Sequence, residues 1–249
     1  MVDFWKEYGE GYILFSQLFS YENWQTILSR IASEISNVRS SASVSILDVG
    51  SGYGINILNI LQMLYSEKKV RHILDVVEPS EQARLILRAL IPNETLGGFL
   101  RNVYSSIADI SVKVFDAVLV MHSSYYIDSF ETELAKIYNQ NVTVGGLVIL
   151  LALPDTSPFF LQRKELYLPN TSTRIKGYLN REGIEYKTFA LRSRFLFPNK
   201  IILSKKGMNA LYKFMTRGLI PEPEFIVALD KLRSGEAVDF GDELIVIRK

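Results

Sequence analysis

The sequence predicts an α/β fold: a mostly parallel seven-stranded sheet with helices on both faces, an N-terminal helical cap and a C-terminal helical insertion. Three observations carry this expectation. From residue 44 onward, apolar runs alternate with helical patterns. Residues 114–120 and 147–153 are near-continuous apolar runs, as central parallel strands covered on both faces require. Gly50, Gly52 and Gly54 stand between the apolar run 44–49 and the helical pattern 55–64, which reads as strand, tight turn and helix start. With 249 residues, 48% hydrophobic and 22% charged, the chain can bury a substantial core as a single domain, 1–249.

Residues 1–40 precede the first strand. Aromatic residues at 4, 8, 12, 15 and 19 follow helical spacing, so one helix has an aromatic face. That face packs on the domain or walls a pocket for an apolar or cationic substrate, with Tyr8 and Tyr12 as the candidate contacts. The alternation then runs through a strand at 44–49, a helix at 55–65, a strand at 73–78, a helix at 80–90 and a third strand at 99–103. Strands at 114–120 and 147–153 flank a helix at about 129–141. Beyond Pro154 the alternation loosens, and residues 154–240 read as substrate-binding additions. Helices are expected at 159–167, 173–181, 206–217 and 222–232, with one or two strands in 184–197 and a last strand at 243–247 that closes the sheet.

The glycine turn is where the chemistry concentrates. Without Cβ atoms the backbone bends sharply and a ligand can approach closely, while the helix start presents unpaired N–H groups. A dinucleotide site has G-x-G-x-x-G with a third small residue. Here the third glycine comes one position early, and Ile55 fills the place that should be small. Glu78 ends the next apolar run, 24 residues beyond Gly54, where a carboxylate can accept both ribose hydroxyls of a nucleoside.

Asp48-Val49-Gly50-Ser51-Gly52-Tyr53-Gly54 resembles motif I of class I S-adenosylmethionine-dependent methyltransferases, which have a Rossmann-like fold. The resemblance implies S-adenosyl-L-methionine as cofactor, with Asp48 facing its methionine part. Val76-Val77-Glu78-Pro79-Ser80, the pair Tyr125-Tyr126 and the terminal Leu244-Ile245-Val246-Ile247 further resemble the histamine N-methyltransferase family. This likeness implies Gly50, Glu78, Gln82, Ser105 and Met121 around the cofactor, and Glu22, His122, Tyr125 and Tyr126 on the substrate side. Two departures, His122 where the family has Gln and Phe240 about where it has Asn, count against histamine itself as the acceptor.

Each candidate also has a plain structural role open to it. Glu22 is either a substrate ligand or a first-turn acid behind a Ser20 helix cap. Tyr125 is either a substrate contact or core. His122 follows an apolar strand at its carboxyl end, where α/β sheets place ligands, whereas His72 stands at the opposite end of its strand.

The expected activity is methylation of a small molecule, most simply at an amine nitrogen. Glu22 or His122 takes the acceptor's proton, and aromatic faces stabilise its positive charge. Small-molecule O-methylation is the alternative, since an imidazole also suits a hydroxyl or phenol, and so is a cofactor-binding protein of this fold with no methyl transfer. Met121-His122-Ser123-Ser124 lacks the Asn/Asp-Pro-Pro-Tyr pattern that goes with nucleic-acid or protein-amide methylation.

Composition excludes other classes. Lys+Arg 28 against Asp+Glu 27 gives a net charge of +1, too little for a global field that recruits nucleic acid or an anionic membrane. Arg192, Arg194, Lys200, Lys205 and Lys206 read as a solvated surface. Zero cysteines remove disulfides and thiolate metal sites, and no metal is expected; a cytoplasmic location is the default. Asp3 and Glu7 among aromatics do not read as a signal peptide. The apolar run 147–153 falls far short of the roughly 20 residues that span a bilayer. Oligomeric state is not legible.

Overall fold

A computed structural model describes residues 9–14, 24–38, 43–91, 97–110, 113–157, 170–191, 194–195, 204–216, 223, 238–239 and 241–249. The chain divides into two compact units. One comprises Gln25–Pro154, Leu168–Leu191 and Glu243–Lys249; the other comprises Met1–Trp24, Asp155–Tyr167 and Arg192–Asp242.

The first unit is the α/β sheet. Its strands are β1 (Ser43–Val49), β2 (Arg71–Val77), β3 (Gly98–Tyr104), β4 (Phe115–Met121), β5 (Val142–Ala152), β6 (Tyr186–Ala190) and β9 (Glu243–Arg248), in the spatial order β3-β2-β1-β4-β5-β9-β6. Pairings β1–β2, β2–β3, β1–β4 and β4–β5 are parallel, and β9 runs antiparallel to both β5 and β6. The final strand therefore closes the sheet from within, inserted between β5 and β6. Every residue of β4 is buried, as are the last seven of β5, which is why these two segments read as unbroken apolar runs.

The helices follow the expected spacing. They are α1 (Trp24–Ser36), α2 (Ile55–Ser66), α3 (Glu81–Leu90), α4 (Phe130–Lys136) and α5 (Ser172–Arg181). The helix expected at 129–141 is α4 followed by a π turn at Ile137–Asn141. Within the region read as an N-terminal cap, α1 buries the stripe Ile27, Leu28, Ile31, Ala32 and Ile35. Its Glu34 accepts from Arg248 on β9 at 2.8 Å, and its Arg30 guanidinium lies 4.0 Å from the Phe189 ring centre on β6. This part of the cap is thus a layer of the sheet unit.

In the second unit, α6 (Lys205–Thr216) is the helix expected at 206–217, and residues 9–14 are helical. Tyr12 packs edge-on against Phe214 of α6, with ring centres 5.7 Å apart. A separate two-stranded sheet pairs β7 (Arg194–Phe195), a second strand within 184–197, with β8 (Val238–Asp239), which the sequence did not announce. The helices expected at 159–167 and 222–232 lie outside the described residues, apart from Pro223. No helix among the described residues is long and apolar enough to cross a membrane.

Candidate cofactor and acceptor site

The strand order reverses between β1 and β4, which opens a crevice beyond the carboxyl ends of these strands. Register sets the level at which each candidate emerges. Val49 pairs with Val77, so Gly50 and Glu78 leave the sheet side by side, and Gly50 N–H donates to Val77 O at 2.8 Å. Asp48 pairs with Leu119, so Met121 and His122 emerge beside the same turn.

Gly50, Gly52 and Gly54 have φ of 76°, 56° and 81°, in the left-handed region where side chains are strained. A Cβ on Gly54 would meet Leu87 and Ile91 at the end of α3 at 3.1 to 3.4 Å, so the third glycine lets α2 start close to its neighbour. Gly54 is also the N-terminal cap of α2 and accepts from Leu58 N–H at 3.0 Å. Ile55, which departs from the dinucleotide pattern, is 57% exposed at the helix start.

Glu78 is buried and ties this turn to the next strand–helix junction. One carboxylate oxygen accepts from Gly52 N–H at 2.9 Å and the other from Ser80 N–H at 2.9 Å. Its own N–H donates to Tyr104 O at 3.0 Å, linking the ends of β2 and β3. Ser80 caps α3 through Ala83 N–H, and Arg84 of that helix donates to Glu78 O at 2.8 Å. The acid at the end of β2 is therefore fixed by backbone donors on both sides, and carboxylate oxygens can accept more than one bond each.

Asp48 is 1% exposed and accepts from the Ser51 hydroxyl. Burial pushes its carboxyl up from 3.8 to about 7; the Ser51 bond opposes the rise and the nearby Glu78 charge adds to it. Burial and Glu78 also raise the Tyr53 phenol. Gln82 lies exposed in the first turn of α3. Ser105, exposed just after β3, donates to Asp109 at 2.9 Å.

Across the crevice, Met121 ends β4 and is buried. His122 then takes a left-handed φ of 53°, with its N–H donated to Leu151 O at 2.8 Å. Its ring stacks on Tyr125, centres 6.4 Å apart and planes at 29°. Tyr125 is buried and its hydroxyl accepts from Leu153 N–H, so its ring is held in place. Tyr126 stands edge-on to Tyr125 at 6.2 Å and is 46% exposed.

The structure thus gathers Asp48, Gly50, Gly52, Gly54, Glu78, Met121, His122, Tyr125 and Tyr126 at one end of one sheet. Glu22, Tyr8 and Phe240 lie outside the described residues, and Tyr12 belongs to the second unit. Three residues that sequence reasoning did not single out hold the site together. Ser51 bonds Asp48, Ser123 donates to Val49 O at 2.6 Å, and Asn170 donates to Ser124 O at 3.0 Å and Ile127 O at 3.2 Å. Ser51 had a local signal, a hydroxyl inside the acid–glycine turn; Ser123 and Asn170 depend on contacts distant in sequence.

No family model and no curated protein matches the chain by sequence. Its fold is similar to several solved structures. The [4+2]-cyclase SpnF aligns at TM-score 0.57 and 14% identity, covering 89% of this chain and 80% of that one. The plantazolicin methyltransferase BpumL, in complex with SAH, aligns at TM-score 0.53 and 14% identity over 91% of this chain and 84% of that one. The N-methyltransferase NodS from Bradyrhizobium japonicum WM9 aligns at TM-score 0.53 and 13% identity over 91% and 96%. The chain has the Rossmann-like fold of class I methyltransferases.

Proposed function

We propose that this protein is an S-adenosylmethionine-dependent methyltransferase whose acceptor is a small molecule methylated at an amine nitrogen. The observation that supports this most is the bond from Gly52 N–H to Glu78 at 2.9 Å. It sets an acid suited to ribose hydroxyls against a turn of three left-handed glycines, with none of the spacing that cradles a pyrophosphate.

In this reading Asp48, Gly50, Gly52, Gly54, Glu78, Gln82, Ser105 and Met121 hold the cofactor. A cationic group beside Asp48 favours its ionised form against burial, which fits the ammonium of a methionine moiety. When bound, S-adenosylmethionine supplies an electrophilic methyl group for in-line displacement. The chain's task is then to align the acceptor, exclude water and remove a proton, because a protonated amine has no lone pair to attack with. His122, at the end of β4, or Glu22 is the proposed proton acceptor. Tyr125, Tyr126, Tyr8 and Tyr12 are the proposed substrate contacts, since ring faces attract a cation. The left-handed His122 costs about 1–3 kcal/mol, a strain that persists where surrounding structure enforces it and that clusters at active sites.

An O-acceptor is the nearest alternative, because an imidazole also takes a proton from a hydroxyl or phenol. The presence of a cyclase, SpnF, among the structural neighbours favours a further reading: a cofactor-binding protein of this fold with no methyl transfer. Incubation with methyl-labelled S-adenosylmethionine and a pooled metabolite extract, read by mass spectrometry, separates these outcomes. Label on an amine is expected. Label on an oxygen selects the first alternative, and bound cofactor with no labelled product selects the second.

A further inference from the structure

We infer that Ser123 is a positioning residue that locks the acceptor-side loop, residues 122–127, to the glycine turn, so that the two halves of the site shift as one body. The inference rests on the reading of that turn as the cofactor site.

Ser123 is buried and touches both halves. Its hydroxyl donates to Val49 O at 2.6 Å, at the last residue of β1. A Cβ built on the neighbouring Gly50 would lie 2.3 Å from Ser123 Cβ and 2.8 Å from its Oγ, closer than real atoms approach. The space left by the missing side chain of Gly50 is therefore filled by Ser123. The first glycine of the turn, expected to make room for a ligand, also makes room for the loop after β4.

The main chain of Ser123 carries the contact onward. Its carbonyl accepts from Tyr126 N–H at 3.0 Å, opening the short 3₁₀ turn Ser124–Tyr126 that bears both tyrosines. His122 precedes it in the left-handed conformation. The other end of the loop is pinned separately. Asn170 donates to the carbonyls of Ser124 and Ile127, and its own carbonyl accepts from the Ser124 hydroxyl at 3.0 Å. With one end anchored by Asn170, a ligand that settles the glycine turn settles the loop through Ser123. Coupling of this kind is carried by packed side chains and hydrogen bonds that bridge two sites.

Amide hydrogen exchange on the full chain tests this, with S-adenosylhomocysteine as the probe. In the wild-type protein, saturation should slow exchange at Tyr126 and Ile127 about tenfold, within the usual range of coupling between sites. In Ser123→Ala the probe should still bind, but the slowing should fall below about twofold. Protection of core amides in β4 and β5 serves as the check on folding. Should Ser123→Ala lose that protection, Ser123→Cys replaces it, a slightly larger side chain that fills the site while donating only weakly. Equal slowing in wild type and variant overturns the lock while leaving the cofactor reading intact. No binding of the probe to the wild type overturns the cofactor reading and the lock with it.

Discussion

The two sides of this site are held by different kinds of group. On the proposed cofactor side Glu78 is gripped by backbone N–H donors from Gly52 and Ser80, and Asp48 is met by Ser51 three positions on. On the proposed acceptor side the loop after β4 depends on side chains that meet the backbone of remote segments: the Tyr125 hydroxyl accepts from Leu153 N–H, and the Ser124 hydroxyl donates to Asn170 O. A site built from backbone needs glycines and acids at set spacings, and these are visible in a sequence. A site built by loops meeting through side chains depends on where each loop lands.

Substitutions should separate the two sides. The largest effect is expected for Gly52→Val. A branched side chain at φ 56° strains the turn and displaces the N–H that Glu78 accepts, so cofactor binding should become undetectable while circular dichroism stays native. His122→Ala should give the opposite pattern. If His122 takes the acceptor's proton, its loss should lower kcat/KM by about 100-fold while cofactor affinity measured by titration is nearly unchanged. A fall in both together would merge the two sides into one.

Glu78→Ala should weaken cofactor binding by about 1–3 kcal/mol, the range for a bond to a charged group left unmade. A loss confined to thermal stability would assign Glu78 to the architecture alone. A smaller effect, diagnostic through pH, is expected at Asp48. Its folded-state carboxyl is raised to about 7, so the stability it contributes is present at low pH and is lost as pH rises through about 7. Asp48→Asn should therefore make the ligand-free protein more stable than wild type at pH 8 by about 1–3 kcal/mol, seen in denaturant melts. If a cationic group binds beside Asp48, wild-type affinity should fall by up to about tenfold per pH unit below 7, and Asp48→Asn should flatten that dependence.

Much of the sheet could be read from the chain because β1 through β5 alternate with helices, and β4 and β5 are unbroken apolar runs. The insertion of β9 between β5 and β6 could not, since strand order is decided by tertiary packing rather than by periodicity. The two-residue strand β8 is too short to show a period. The buried stripe of α1 lies at helical spacing, but the denser aromatic pattern before it makes the whole segment resemble a cap. Among site residues, Gly52 and Glu78 emerge where their spacing placed them and are bonded to each other. Ser123 carries no periodic or motif signal, because its importance comes from the empty side of Gly50, 73 residues earlier.

The central claim is that the glycine turn and Glu78 form a nucleoside site for S-adenosylmethionine rather than for a dinucleotide. Isothermal calorimetry of the purified protein with S-adenosylmethionine, S-adenosylhomocysteine and NAD tests it directly. Saturable binding of the first two with no heat from NAD is the expected result. NAD binding as tightly as either would contradict it.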